Sequence, residues 1–247
     1  ISEAQRGFVP GRSMLANVLD VDEAMMATAL QRDRGAAWFF DFQAAFPSVA
    51  HTFLKKTLRA AGLPAWLTRF VDHLYEHNAC NLVVGGAVHN GFVAAAGIRQ
   101  GCPLSPILFA VAVDLLLRRL GAKLPSVLVR AFADDIATVA PDMAEAAPVL
   151  HGIFVEFGRV SGLHLNLLKT VLIPLWPACL DRLSNIIKDD MLPRLHSLSW
   201  WNTSASGWAL RLGTSAGKMW VMNSCPGSTI GVKDLGASTT RPAFGTP

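Results

Sequence analysis

Apolar positions along this chain change their period several times, and each change predicts an element. After a Pro10-Gly11 turn, apolar residues recur at Leu15, Val18, Leu19, Met25, Met26 and Leu30, the spacing of a helix. The stretch "AAWFFDFQAAF", residues 36–46, is dense in aromatics and predicts a buried strand ending near Phe42. Helices are expected at about 51–61 and, with Pro64 in a first-turn position, at about 64–77. "NLVVGGAVHNGFV", residues 81–93, holds two β-prone runs around Gly85-Gly86 and predicts a hairpin. A loop marked by glycine and proline, "GIRQGCPLSP", leads into a helix at about 105–120. "SVLVRAFADDIATVA", residues 126–140, gives two β-prone arms, followed by a helix at about 142–160 and a short strand at about 169–173. This order predicts an α+β fold in which helices cover one face of a mainly antiparallel sheet.

Beyond about residue 176 the periodicity fades and Gly, Ser, Thr and Pro dominate, so residues 223–247 are expected to form a loosely ordered tail. No internal repeat is visible. With 51% hydrophobic and 16% charged residues, the chain falls outside the wholly disordered class. A net charge of +4 permits a polyanionic partner without requiring one. Cys80, Cys102, Cys179 and Cys225 lack zinc-ligand spacing and read as free thiols. The chain opens at Ile1 with no secretory pattern, and its longest apolar run, "ILFAVAVDLLL", is too short to span a bilayer and is broken by Asp114, so no membrane partner is expected.

The candidate chemistry is acidic. "AFADDIATVA" puts Asp134 beside Asp135 in an apolar stretch. Neighbouring strand residues face opposite ways, so in a plain strand one carboxylate would enter the core at a cost of several kcal/mol. A tight turn between the two arms removes that problem, and aspartate is at home in turns. Asp41 raises the same question at the end of "WFFDF". If that strand lies beside the 126–140 hairpin, three carboxylates converge at one sheet end. Two carboxylates about 4 Å apart repel by roughly 4 kcal/mol at an effective dielectric of 20. Hard oxygen donors without nearby His or Cys suit Mg²⁺ or Mn²⁺, and such sites commonly complete their ligands with substrate phosphates.

Five segments in order carry a family resemblance. "AQRGFVPGRSMLANV", "FFDFQAAFPSVAH", "GIRQGCPLSPILFAVAVDLLLRRL", "AFADDIATVA" and "SGLHLNLLKT" together resemble the reverse transcriptase domain of non-LTR (LINE-type) retrotransposons over about residues 4–174. The resemblance implies a polymerase palm at 36–176, the end of the fingers and a linking helix at 1–35, and a primer-grip or thumb remnant at 177–222. It implies an RNA-directed DNA polymerase acting on an RNA template, a DNA primer and deoxynucleoside triphosphates, with Mg²⁺ or Mn²⁺ as cofactor.

Roles follow by position. Asp41 and Asp134 would hold two metal ions, with Asp135 as their acidic partner and the Phe42 carbonyl as a further ligand. Phe46 matches the bulky residue that crowds the sugar 2′ position. Gln100 and Gly101 would meet the incoming nucleotide, Gly101 by allowing close backbone approach. Lys169 matches a lysine that gives a proton to the leaving pyrophosphate, and Arg12 and Arg99 would meet backbone phosphates.

Two departures stand out. Pro47 replaces an acidic or polar residue and removes a backbone donor. Most of the fingers, a recognisable thumb and an endonuclease domain are not found in the 247 residues, which implies part of a larger element-encoded polyprotein and, in isolation, at most weak, salt-sensitive binding to a primed RNA template with no measurable extension. The alternative is a decayed, inactive remnant with at most weak nucleic-acid binding; an unrelated metal-dependent phosphotransferase would leave "RQGCPLSP" unexplained. By resemblance alone, the compartment is the nucleus or cytoplasm.

Overall fold

A computed structural model describes residues 1–32, 34–76 and 78–176, so the readings of 177–222 and 223–247 lie outside the described residues. The elements in chain order are α1 (Met14–Gln31), β1 (Ala36–Phe40), α2 (Ala45–Ser48), α3 (His51–Ala60), α4 (Ala65–Leu74), β2 (Ala79–Val84), β3 (Ala87–Val93), α5 (Ser105–Lys123), β4 (Leu128–Phe132), β5 (Asp135–Ala140), α6 (Met143–Ser161) and β6 (Val171–Pro174). The α+β fold expected from the sequence is borne out. Among the described residues no helix is long and apolar enough to cross a membrane.

The main sheet has the order β4-β5-β1-β6, with every pair antiparallel. Strand alternation divides β1 between two cores. Ala36, Trp38 and Phe40 face a thick layer that includes Leu54, Phe109, Leu116 and Phe154 from α3, α5 and α6. Phe40 and Phe154 lie 4.5 Å apart between ring centroids. Ala37 and Val139 face the other way, onto Val21 of α1. A helical layer therefore fills one face, and α1 crosses part of the opposite face, mainly over β4 and β5.

The apolar recurrence in α1 predicts the helix but not its buried face. Leu15, Val18, Leu19, Met26 and Leu30 are exposed, whereas Asn17 and Val21 are buried. Polar anchors set this orientation. The Asn17 amide donates to the Ala131 carbonyl at 2.8 Å, and Asp20 bridges Arg6 and Arg130 at 2.6 Å each. The Arg130 hydrogen bond, supported by Arg6, holds the Asp20 carboxyl below the usual range. Hairpin β2–β3 forms where Gly85-Gly86 predicts it, as a separate two-stranded sheet with Val83, Val84, Val88 and Phe92 exposed.

Helix ends explain themselves locally. Asp142 caps α6 by accepting from the Ala144 and Glu145 amides, at 2.8 and 3.1 Å. At the other end Gly162 takes φ 81° so that the chain can turn back. A Cβ there would sit 2.3 Å from the Ser48 carbonyl oxygen. Gly162→Ala is therefore expected to cost at least about 2 kcal/mol, combining a left-handed penalty with a backbone clash. A lower denaturant midpoint at unchanged slope would show it; an unchanged midpoint would contradict the close approach.

Candidate active site

The sheet register decides where the acidic residues go. Phe40 pairs with Ile136, and Phe132 pairs with Asp135 across the β4–β5 turn. Asp41, the next residue after β1, thus leaves the sheet at the end where Ala133 and Asp134 make that turn. None of the three carboxylates enters the apolar core, which removes the burial problem posed by the sequence. The Asp41 carbonyl accepts from the Asn166 amide and the Gln43 amide donates to the His164 carbonyl, both at 2.8 Å. These bonds flank Phe42, whose ring packs inward among the core residues, near Phe154 at 6.2 Å.

The three carboxylates are close enough to feel one another. Partial desolvation at the rim, then repulsion from Asp134 and Asp41, push the Asp135 carboxyl above the usual range, while Lys169 opposes the shift; the side chain itself is exposed. Lys169 Nζ lies 3.5 Å from Asp41 Oδ2. That cation stands 128 residues away from Asp41 along the chain, beyond reach of any local pattern. Among the described residues no three His, Cys, Asp or Glu side chains are drawn together as a ready metal cluster. The donor set nonetheless fits a hard divalent ion, being three carboxylates set against one lysine.

A stability prediction follows from the sign of the Asp135 shift. A folded-state pKa above the unfolded one means that ionised Asp135 opposes folding at neutral pH, and that this penalty is absent below the unfolded pKa. Asp135→Asn is expected to raise the metal-free Tm at pH 7 by about 1–2 °C, a small gain because solvent screens an exposed carboxylate. The gain should vanish near pH 3. A lower Tm at pH 7 would contradict the repulsion.

A second set of predicted residues gathers around a cleft of about 350 Å³ lined by Phe46, Gln100, Gly101, Cys102, Pro103, Ser105 and Pro106. Backbone bonds bring these distant segments together. Ile98 N–H donates to the Phe46 carbonyl and Gly97 N–H to the Val49 carbonyl, each at 2.8 Å. His51 Nε2 meets the Gly97 carbonyl at 2.8 Å. Phe46 stacks on Phe109 at 4.4 Å and is met edge-on by Phe8 at 6.1 Å, so it serves the core and the cleft together. Gly101 is also required by its backbone. Its φ of 83° calls for glycine, whereas a Cβ there would meet nothing within 4 Å in the chain. Pro47 sits in the first turn of α2, where a backbone N–H has no helical partner anyway, so its missing donor is tolerated.

The two arginines are engaged within the chain. Arg12 donates to the carbonyls of Ser2 and Gln5, the latter at 2.6 Å, and so pins the N-terminal segment. Arg99 donates to the Asn78 side chain at 2.6 and 3.1 Å and lies 5.9 Å from the Tyr75 ring centroid. Each guanidinium carries five N–H donors, so both keep donors beyond those in these bonds.

A family model described as reverse transcriptase (RNA-dependent DNA polymerase) matches residues 1–189. The chain belongs to the reverse transcriptase family. A Pol polyprotein of the R2 retrotransposable element from Drosophila melanogaster is 34% identical over 168 residues, 66% of this chain and 16% of that protein. An R2 Pol polyprotein from Popillia japonica is 29% identical over 130 residues, covering 49% of this chain and 22% of that protein. The chain thus matches about a fifth of these relatives or less. These matches identify a partial non-LTR reverse transcriptase domain. Apo telomerase from Candida tropicalis shares the fold, with a TM-score of 0.55 at 13% identity, covering 69% of this chain and 33% of that one. Telomerase from Candida albicans, in complex with a fragment of telomeric RNA, gives 0.51 at 15% identity, covering 69% and 31%.

Sequence reasoning missed Gln5. It is wholly buried and its side chain bonds to the residue preceding Asp134. A glutamine in a loop gives no periodic signal; the only hint is its place in "AQRGFVPG".

Proposed function

We propose that this reverse transcriptase domain is the palm of an RNA-directed DNA polymerase that extends a DNA primer on an RNA template. The observation that carries the reading is the register pairing Phe40 with Ile136, because it puts Asp41 beside the Asp134–Asp135 turn. Asp41 and Asp134 would hold the divalent ions, with Asp135 and the Phe42 carbonyl completing the oxygen donors. Bound there, Mg²⁺ would supply activation of the primer 3′-hydroxyl and neutralisation of the triphosphate.

The chain's own residues do the remaining work. Phe46, fixed by its stack on Phe109, limits the space offered to the nucleotide sugar. Gln100 and the left-handed Gly101 shape the floor of the same cleft. Lys169 stands within ion-pair distance of Asp41 and would protonate the leaving pyrophosphate. Arg12 and Arg99 would position nucleic-acid phosphates. The RNA partner draws support from the telomerase–RNA likeness, and the polyprotein context from the R2 relatives.

The test is primer extension on a primed RNA template with deoxynucleotides and Mg²⁺. In a longer protein that supplies fingers and thumb around this domain, template-directed extension abolished by EDTA is expected, with little or none from the 247 residues alone. Metal-dependent binding of template-primer without any extension by that longer protein would favour an inactive remnant.

A further inference from the structure

We propose that Gln5 is a positioning residue for Asp134, an inference that rests on reading Asp134 as a metal-holding carboxylate. Its buried amide clamps the strained residue from which Asp134 leaves the sheet.

The argument begins with the turn. Ala133 and Asp134 alone connect the paired residues Phe132 and Asp135. Ala133 has φ 57° and is 7% exposed. Two-residue hairpins with positive φ at the first central position favour glycine there. A residue bearing a Cβ is disfavoured in that region by about 1–2 kcal/mol, and such conformations persist only where the surroundings hold them.

The surroundings are supplied by one side chain. Gln5 Oε1 accepts from the Ala133 N–H at 3.0 Å, and Gln5 Nε2 donates to the Ala133 carbonyl at 3.0 Å. Both backbone groups of the strained residue are therefore gripped, as a neighbouring strand would grip them. Oε1 also accepts from the Gly7 N–H at 2.8 Å, which ties the clamp to its own loop. The loop is fixed in turn by Ala131 N–H to the Ala4 carbonyl at 2.7 Å and Arg6 N–H to the Ala131 carbonyl at 2.9 Å. It passes so close that a Cβ on Gly7 would lie 2.1 Å from the Ala133 nitrogen.

The geometry links this clamp to the carboxylate. The Ala133 carbonyl belongs to the same rigid peptide plane as the Asp134 nitrogen. Fixing that plane fixes the position of the Asp134 Cα, the point from which the side chain departs. Gln5 fills core volume as well, but filling volume needs no amide, and the three bonds of this one are all spent on the turn and its supporting loop.

The experiment compares the 247-residue wild-type chain, Gln5→Met, and Gln5→Met combined with Ala133→Gly, with Gln5→Leu as a second apolar replacement. Mn²⁺ affinity is read by electron paramagnetic resonance, and amide hydrogen exchange is read at Ala133 and Asp134. Gln5→Met should weaken Mn²⁺ binding by about tenfold, the scale of losing an outer support of a metal ligand, and should speed exchange at Ala133. Adding Ala133→Gly should recover most of the Mn²⁺ affinity, because glycine takes positive φ unaided, while the Tm stays low. Recovery of affinity without recovery of stability is a signature that core filling cannot produce. Wild-type affinity and exchange in both apolar variants, or no recovery in the double variant, would overturn the proposal. Mn²⁺ binding that ignores Asp134→Asn would instead strike at the metal reading, while exchange at Ala133 still decides whether Gln5 holds the turn.

Discussion

In a longer protein that supplies fingers and thumb around this domain, Asp41→Asn and Asp134→Asn are each expected to cut primer extension by at least about 10³-fold, with far smaller effects on template-primer binding. The reasoning is electrostatic. Phosphoryl transfer leaves the protein little covalent chemistry, so positioning and charge stabilisation supply nearly all of the rate. Asparagine keeps the shape of the donor but removes the charge that holds a divalent ion. Neither aspartate is in the apolar core, so the substitutions should leave the fold intact. An equal loss of stability and extension would point to a structural role, and retained extension would remove these residues from the site.

Phe46→Val should raise ribonucleotide use by about tenfold to a hundredfold relative to deoxynucleotide use, the range open to a steric gate worth 1–3 kcal/mol. The smaller side chain opens space at the cleft edge. It also gives up the stack on Phe109, so a loss of about 1–3 kcal/mol of stability should accompany the change in selection. Measuring both on one variant separates the two roles. A stability loss with unchanged sugar discrimination would leave Phe46 as a core aromatic alone.

How far these features could be read beforehand depended on their physical range. Strands β1, β4 and β5 were legible because their signals are local: a run of aromatics, two β-prone arms, and acids that do not belong between them. Asp41 and the Asp134–Asp135 pair announced themselves by the same misfit. The orientation of α1 was not legible, because Asn17 bonds to Ala131 and Asp20, besides Arg6, to Arg130, both more than a hundred residues further along. The Lys169–Asp41 ion pair depends on the Phe42–Leu165 bridge, which is also nonlocal. Gly101 was singled out for approach to the nucleotide, while its backbone angle of 83° is a further demand that only the folded chain reveals. The clamp at Gln5 lay furthest from view, since its meaning resides in the strained Ala133, a residue with no unusual chemistry of its own.

The account turns on one sheet end holding a divalent ion, and Mn²⁺ titration with paramagnetic broadening of backbone amide resonances tests this most directly. The predicted result is broadening centred on residues 41–42 and 133–135, lost in Asp134→Asn, with the remote acidic site at Asp20 unaffected. Broadening centred elsewhere, or unchanged by Asp134→Asn, would contradict it.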